Sequence, residues 1–371
     1  LHRGPLPSYL PRPMEERPLK LLFVACVSDR CEIELIRGLN KSGMAVHLVC
    51  DPRESQQELL RSEGITVTEL HIKHRFHLPS IFKLRKLLKA HSFDVAYATA
   101  NRGLSCTLLA SSGLSTKIVA YRGTMGHLSY WDPSSWFAHL HPRVAAIVCN
   151  CHAVQRYLLG LGLPEKKLPV VYKGHRPEWY ATDSKIDLSI LGIPKEAFVI
   201  GCIANIRPVK GVDVLARAVS LLKDLDNLHV VVVGENRHKG LSQIIKQLEI
   251  EERFHLVGYR NDVREILNSC NLSVMPSVER EGVPRAVIES RFLGIPVIVS
   301  DVGGLPEIVR EGIDGRVVPP NDSASLANAI RDLYGNKTKR HDFGRFGQEH
   351  TTKLVDGNNY ISEMSAVLKQ S

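Results

Sequence analysis

The sequence of 371 residues contains no apolar run approaching the roughly 20 residues that cross a bilayer as a helix. With 44% hydrophobic and 23% charged residues, its composition is that of a soluble globular chain. Its 8 cysteines form no CxxC pair and no zinc-finger spacing; most sit in apolar runs such as FVACV and AIVCNC. A disulfide scaffold is therefore excluded, and reduced, buried thiols in a cytosolic protein are expected. The sole D-x-D, Asp224 to Asp226, lies in LLKDLDNLHV, which reads as a helix-to-strand connection, so no metal site is expected. There is no solenoid repeat, no low-complexity tract and no recognisable nucleic-acid module, so no nucleic-acid partner is expected despite a formal charge of +9. The opening LHRGPLPSYLPRPMEERPLK has prolines where a secretory signal would need an apolar segment, and residues 1–18 read as an N-terminal tail.

A chain this long exceeds one ordinary core and predicts two domains. LKLLFVACV, the helical CEIELIRGLNKSG and AVHLVCD make a β-α-β beginning, and DVAYATA, KIVAYRG, AAIVCN and LPVVYKG repeat the grammar of apolar strands ending at small or polar residues. The pattern restarts with FVIGCIANI, a helix VDVLARAVSLLKDL, LHVVVVGE, a helix GLSQIIKQLEI, FHLVG, LSVMPS and PVIVSD. The fold class is thus α/β, two Rossmann-like doubly wound parallel sheets facing a cleft. Between the halves lies HRPEWYATDSKIDLSILGIPKEA, of mixed polarity and no strong period. The divisions expected are a first domain over 19–178, a second over 179–350, and a C-terminal helix over 351–371 packing back on the first. Ligands of such sheets bind along the carboxyl edges of the strands.

The chemistry concentrates in VMPSVEREGVPRAVIESRFLGIP. Its strand ends at Pro276, residues 277–283 form a loop, and Pro284 suits the first position of a helix running to about Gly294. Glu281 then falls in the loop and Glu289 in the helix, separated by eight residues, or about 12 Å if all were helical. That distance suits two contacts on one elongated ligand better than a shared proton or metal. The plain alternative for Glu289 is an ion pair with Arg285, four residues before it, on a solvated face.

EREGVPRAVIES followed by GIPVIVSDVGGLPEIVREGIDGRVVPPND resembles the E-x7-E region of the retaining GT-B glycosyltransferases of glycosyltransferase family 4. The resemblance runs from IANIRPVKG through LANAI and takes in VVVGE, HLVGYRNDV and VMPS in the family's order, most of one domain. It implies a nucleoside-diphosphate sugar as donor substrate, UDP- or GDP-linked, with no cofactor and no metal. It also implies Glu281 beside the donor sugar and Glu289 on the ribose hydroxyls, where a carboxylate accepts two hydrogen bonds from a diol. Gly282, Val283, Pro284 and Gly234 are implied to line the donor. A departing diphosphate gains charge that cations must meet, and NIRPVKG offers Lys210 and Arg207. The family's usual arginine five positions before the lysine is replaced here by Asn205, so Arg207 would substitute from two residues on. Gly303 and Gly304, with Pro306, form a helix entry whose amides can approach an anion.

The first half matches the family weakly. ACVSDR stands where the family has a Gly-Gly loop, and IVAYRGTMGH puts Arg122 in register with the family's histidine and His127 five residues later. Both are candidates to face the donor sugar or an anionic acceptor. RGTMGHLSYWDPSSWFAHLHPRV, rich in Trp, Tyr and His, suits sugar stacking or a lipid-phosphate acceptor, and equally packing under a long loop. Residues 73–91 carry six Lys or Arg and no acid. The stretch LPSIFKLRKLLKAHSFD reads as an amphipathic helix with Ile81, Leu84, Leu87 and Leu88 on one side and Lys83, Arg85, Lys86 and Lys89 elsewhere, able to meet an anionic membrane surface. The expected partners are therefore a nucleotide-sugar donor, a glycan or lipid-linked acceptor of the cell surface or lipopolysaccharide type, and the inner face of a membrane. The other readings are a sugar-nucleotide epimerase of the same architecture and a non-catalytic sugar-nucleotide or polyanion-binding protein.

Overall fold

In the computed structural model, which describes residues 17–371, the chain builds two sheets in succession. The first half runs β1 (Lys20–Val24), α1 (Arg30–Lys41), β2 (Ala45–Cys50), α2 (Gln57–Ser62), β3 (Thr66–Glu69), α3 (Leu78–His91), β4 (Val95–Ala98), α4 (Asn101–Ala110), β5 (Lys117–Arg122), α5 (Pro133–Trp136), β6 (Val144–Cys149) and α6 (His152–Gly160). The second runs β7 (Phe198–Ile203), α7 (Val212–Ser220), β8 (Leu228–Val233), α8 (Leu241–Gln247), β9 (Phe254–Leu256), α9 (Val263–Asn268), β10 (Leu272–Met275), α10 (Arg285–Phe292), β11 (Val297–Ser300), α11 (Leu305–Ile308), β12 (Arg316–Val318) and α12 (Ser323–Gly335). Two helices close the chain, α13 (Lys337–Leu354) and α14 (Gly357–Gln370). The tail read over 1–18 lies almost wholly outside the described residues.

Each sheet has six parallel strands, in the orders β3-β2-β1-β4-β5-β6 and β12-β11-β10-β7-β8-β9. Helices cover both faces, so central strands are apolar throughout, as in the fully buried LHVVVV of β8. In each sheet the strand order reverses beside the first strand, between β1 and β4 and between β7 and β10. Loops leaving those neighbouring strand ends diverge and open a crevice there.

The terminal helices join the halves. α13 packs on α10, where buried Arg291 meets Asp314 at 3.0 Å and donates to Thr351 at 2.6 Å. α14 crosses back and lies on α1, with Tyr360, Met364 and Leu368 in one core with Leu21 and Tyr97 of the first sheet. Among the described residues no helix is long and apolar enough to cross a membrane.

Three features depart from the sequence reading. LPVVYKG adds no sheet strand: it touches β6 by one isolated bridge, Cys149 to Val170, because Pro169 has no N–H to extend the ladder. β3 and β12 escape the apolar-run criterion, being short and only partly buried in TVTE and RVV. Pro284 is extended (φ −76°, ψ 134°) and precedes the first helical residue, Arg285, and the helix ends at Phe292 rather than near Gly294.

Candidate active site

A cavity of about 760 Å³ lies between the carboxyl edges of the two sheets. The first domain lines it with Asp29 and Arg30 after β1, Thr99 and Asn101 after β4, Arg122 to Thr124 after β5, Asn150 after β6, and Lys173 and His175 beyond. The second domain contributes Glu281, Gly282, Val283, Arg285 and Ile288 around the start of α10, with Asn261 and Arg264.

Glu281 is held from three directions. Lys210 Nζ lies 2.6 Å from its Oε2, and Ser277 Oγ donates to the same oxygen from 2.9 Å. Lys210 follows β7 and Glu281 follows β10, adjacent strands at the reversal of the second sheet, so residues 71 positions apart meet there. The Glu281 backbone is fixed by Gly303, which adopts φ +60° and brings its Cα so close that a Cβ would stand 1.8 Å from the Glu281 carbonyl oxygen. Gly304 N donates to that oxygen at 3.3 Å.

Glu289 is buried on α10 and accepts from Arg285 Nε at 2.8 Å. The ion pair weighed from sequence is thus present, but the carboxylate is buried rather than on a solvated face. Glu289 itself does not line the cavity, whereas Arg285 and Ile288 on the same helix do. Gly282 packs against the first domain, with space for a Cβ closed by the Gly123 carbonyl 2.2 Å away. The two domains therefore touch beside Glu281.

Arg122 ends β5, buried, and donates to the carbonyls of Thr124 and Gly126, shaping the loop that follows. Burial lowers its guanidinium from the usual arginine value. Other sequence candidates stand away from the cavity. Asn205 and Arg207 are exposed on the loop before Lys210. His127 is exposed in a left-handed conformation (φ 58°), with Nε2 3.0 Å from an Arg280 nitrogen. Gly234 directly follows β8 and its amide donates to the Gly258 carbonyl at 2.9 Å. Neither acid of the D-x-D faces the cleft: Asp224 pairs with Arg331 and Asp226 with Arg253.

Sequence reasoning missed the ionic group on the opposite wall. Lys173 Nζ reaches Asp29 at 2.5 Å and Glu32 at 3.1 Å, over the Tyr121 ring. Burial pulls this lysine down, but Tyr121, Glu32 and Asp29 outweigh it and hold it well above its ordinary value. Burial pushes Glu32 up; for Asp29, Lys173 and the Glu32 amide outweigh burial and hold it down. Lys173 and Asp29 are 144 positions apart, so no spacing reveals them. Beside them burial holds His175 at about 4 and pushes the Cys31 thiol up to about 12.

A second contact ties the domains. Glu307 on α11 accepts from the amides of His152 and Ala153 at 2.8 and 2.6 Å, capping α6 of the first domain, and from Tyr172 Oη at 2.5 Å. A carboxylate at a helix N-terminus satisfies orphan amides and complements the helix dipole.

Residues 183–350 match the family model described as glycosyl transferases group 1, and residues 30–179 match that of Glycosyltransferase Family 4. Among curated proteins, the chain is 26% identical over 208 residues to the Escherichia coli UDP-Gal:alpha-D-GlcNAc-diphosphoundecaprenol alpha-1,3-galactosyltransferase, covering 55% of this chain and 50% of that one. It is 27% identical over 225 residues to the D-inositol 3-phosphate glycosyltransferase of Stackebrandtia nassauensis, covering 57% and 51%. The chain thus spans about half the length of these relatives. Among solved structures, a glycosyltransferase from Rickettsia africae superposes with TM-score 0.80 at 18% identity, covering 95% of this chain and 98% of that one. Anabaena HepE in complex with UDP-glucose gives 0.78 at 22%, covering 95% and 100%. These neighbours share the two-domain GT-B fold.

Proposed function

The chain belongs to the group 1 glycosyl transferases of glycosyltransferase family 4, and we propose that it moves a hexose from a nucleoside-diphosphate sugar to a glycan or lipid-linked acceptor. The observation that carries this reading is the meeting of Lys210 and Glu281 at the strand reversal of the second sheet, with Glu281 on the cleft wall. In the proposed course Glu281 orients the donor sugar, and Lys210 meets the charge that gathers on the departing diphosphate. The acceptor hydroxyl attacks from the face the diphosphate leaves, which takes the acceptor proton, so the anomeric configuration is retained without a metal. Glu289 accepts from the ribose diol after exchanging or sharing Arg285.

The E. coli relative is named for a UDP-sugar and a lipid diphosphate acceptor, and HepE binds UDP-glucose, which together favour a uridine donor and a lipid-linked acceptor. Amylovoran biosynthesis glycosyltransferase of Erwinia amylovora, 25% identical over 188 residues, favours surface polysaccharide or lipopolysaccharide assembly. Such an acceptor would place the protein in the cytoplasm, at the inner face of a membrane.

Calorimetric titration of UDP, GDP, ADP and CMP into wild type and Glu289→Ala, without and with magnesium, tests the donor site. One nucleotide should bind without metal and weaken about 10- to 100-fold in the variant, the worth of hydrogen bonds to a charged group. Binding of none, or identical affinities, would remove the donor assignment. Anomeric NMR of the product then reads retention, and release of free sugar and nucleotide without acceptor would favour an epimerase.

A further inference from the structure

Seven of the fourteen large apolar side chains exposed among the described residues fall on two short segments of the first domain. Phe76, Leu78 and Phe82 lie at the start of α3; Tyr130, Trp131, Trp136 and Phe137 lie on the loop around α5. The segments are in contact: Phe76 and Phe137 meet edge-on with centroids 5.3 Å apart, and an Arg75 nitrogen donates to the Ser134 carbonyl at 3.2 Å. Tyr130 and Trp136 meet at 5.4 Å, and Trp136 Nε1 donates to the Tyr130 carbonyl at 2.9 Å, which fixes the loop. Trp131, 95% exposed, projects from this otherwise ordered surface. A patch of this kind marks an interaction site.

Its charge is of one sign. No acid occurs from residue 70 to 93, and the loop's single acid, Asp132, is occupied capping α5 through Ser134 and Ser135. Leu84 and Leu88 face the core, so the outer face of α3 presents Leu78, Phe82, Lys86 and Lys89 at helical spacing. Two cations of the sequence reading are committed elsewhere: Arg85 donates to the carbonyls of Ala110 and Ser112, and Lys83 to that of Glu69. Lys73, Lys86 and Lys89 are exposed and make no ion pair among the described residues. Trp, Tyr and Lys together are the composition of a bilayer interface, whereas lysine is depleted from protein–protein interfaces.

We propose that this face docks on an anionic phospholipid bilayer, with Trp131, Leu78 and Phe82 at the head-group boundary and Lys86 and Lys89 on lipid phosphates. The loop that carries Trp131 starts at Arg122, which lines the cavity and anchors the Thr124 and Gly126 carbonyls, so the docked loop is continuous in chain with the cleft wall. Docking deepens the lipid-linked acceptor reading but is independent of which sugar, if any, is transferred.

Vesicle flotation of the full chain without donor is the test, using phosphatidylcholine alone and phosphatidylcholine with phosphatidylglycerol. Wild type should float with the anionic vesicles, less so at high salt. Trp131→Ser and Phe82→Ser should each weaken flotation, and Lys86→Ala with Lys89→Ala should weaken it about fivefold per lysine. All four side chains are exposed, and unchanged thermal melts confirm that the variants fold. Absence of wild-type flotation on anionic vesicles, or flotation indifferent to these substitutions, overturns the proposal. A dimer in sedimentation velocity that Trp131→Ser dissolves, without vesicle binding, would assign the face to a second copy. Failure of the donor titration with flotation intact would remove the transferase reading alone.

Discussion

Lys210 Nζ sits 2.6 Å from Glu281 Oε2, and Glu281 lines the cleft, so on the proposed reading the cation for a leaving diphosphate is paired with the carboxylate for the sugar. Both are mostly buried, and Ser277 Oγ shares the same carboxylate oxygen. A buried pair of this kind keeps either charge from standing alone in a low-dielectric site. An arriving anion can draw the lysine while the serine retains the carboxylate.

Lys210→Ala should therefore lower turnover of the donor by about 10²- to 10³-fold, the usual loss when one stabilising group for developing charge is removed. Binding of the nucleoside monophosphate, which lacks the leaving diphosphate, should change much less. Equal losses in both measurements would show that Lys210 supports the loop rather than the reaction.

Gly303→Ala should disturb Glu281 without touching its side chain. The alanine carries the left-handed backbone penalty of about 1–2 kcal/mol, and its Cβ would collide with the Glu281 carbonyl. A lowered melting temperature together with weakened nucleotide binding is expected. Wild-type affinity in this variant would mean that the loop is not set by the Gly303 contact.

Glu307→Gln should loosen the two domains. The variant keeps the shape but loses the charge that caps α6 and accepts from Tyr172. Loss of cap and dipole terms amounts to about 1–2 kcal/mol. Small-angle scattering should show a larger radius of gyration than wild type, reduced again by donor. Superimposable scattering curves would assign closure to the Gly282 contact and α14 instead.

Stability should fall on mild acidification. Burial depresses His139 and His175 from near 6.5 to about 4 in the folded chain. The unfolded chain binds more protons between those values, so each contribution is complete above pH 6.5 and is lost as pH falls toward 4. Between about pH 7 and pH 5 the loss is about 2 kcal/mol per histidine. Urea melts at the two values check this, and His139→Gln should flatten the slope. A pH-independent midpoint would mean these imidazoles are not buried neutral.

Much of the fold was legible because its strands are buried on both faces. LLFV, VVVV and VIVS read as strands for the same reason that they sit in sheet centres. TVTE and RVV did not, since partly buried edges need little apolar surface. At the site, the resemblance singled out Glu281, which lines the cavity, and Lys210, which pairs with it from outside the lining, whereas Asn205, Arg207 and His127 lie near in sequence but outside the cavity wall. The Asp29–Lys173–Glu32 cluster and the Glu307 cap had no local signature at all.

Two α/β halves, the loop that bears Glu281 and the helix that bears Glu289 follow from local pattern, because periodicity, glycine and proline act over a few residues. Which side chains meet is set by long-range packing. Strand order places β7 beside β10 and so joins Lys210 to Glu281, and packing of the two halves sets Glu307 on α6. Such pairings depend on sheet topology and domain contact, which bring together residues that no local pattern relates.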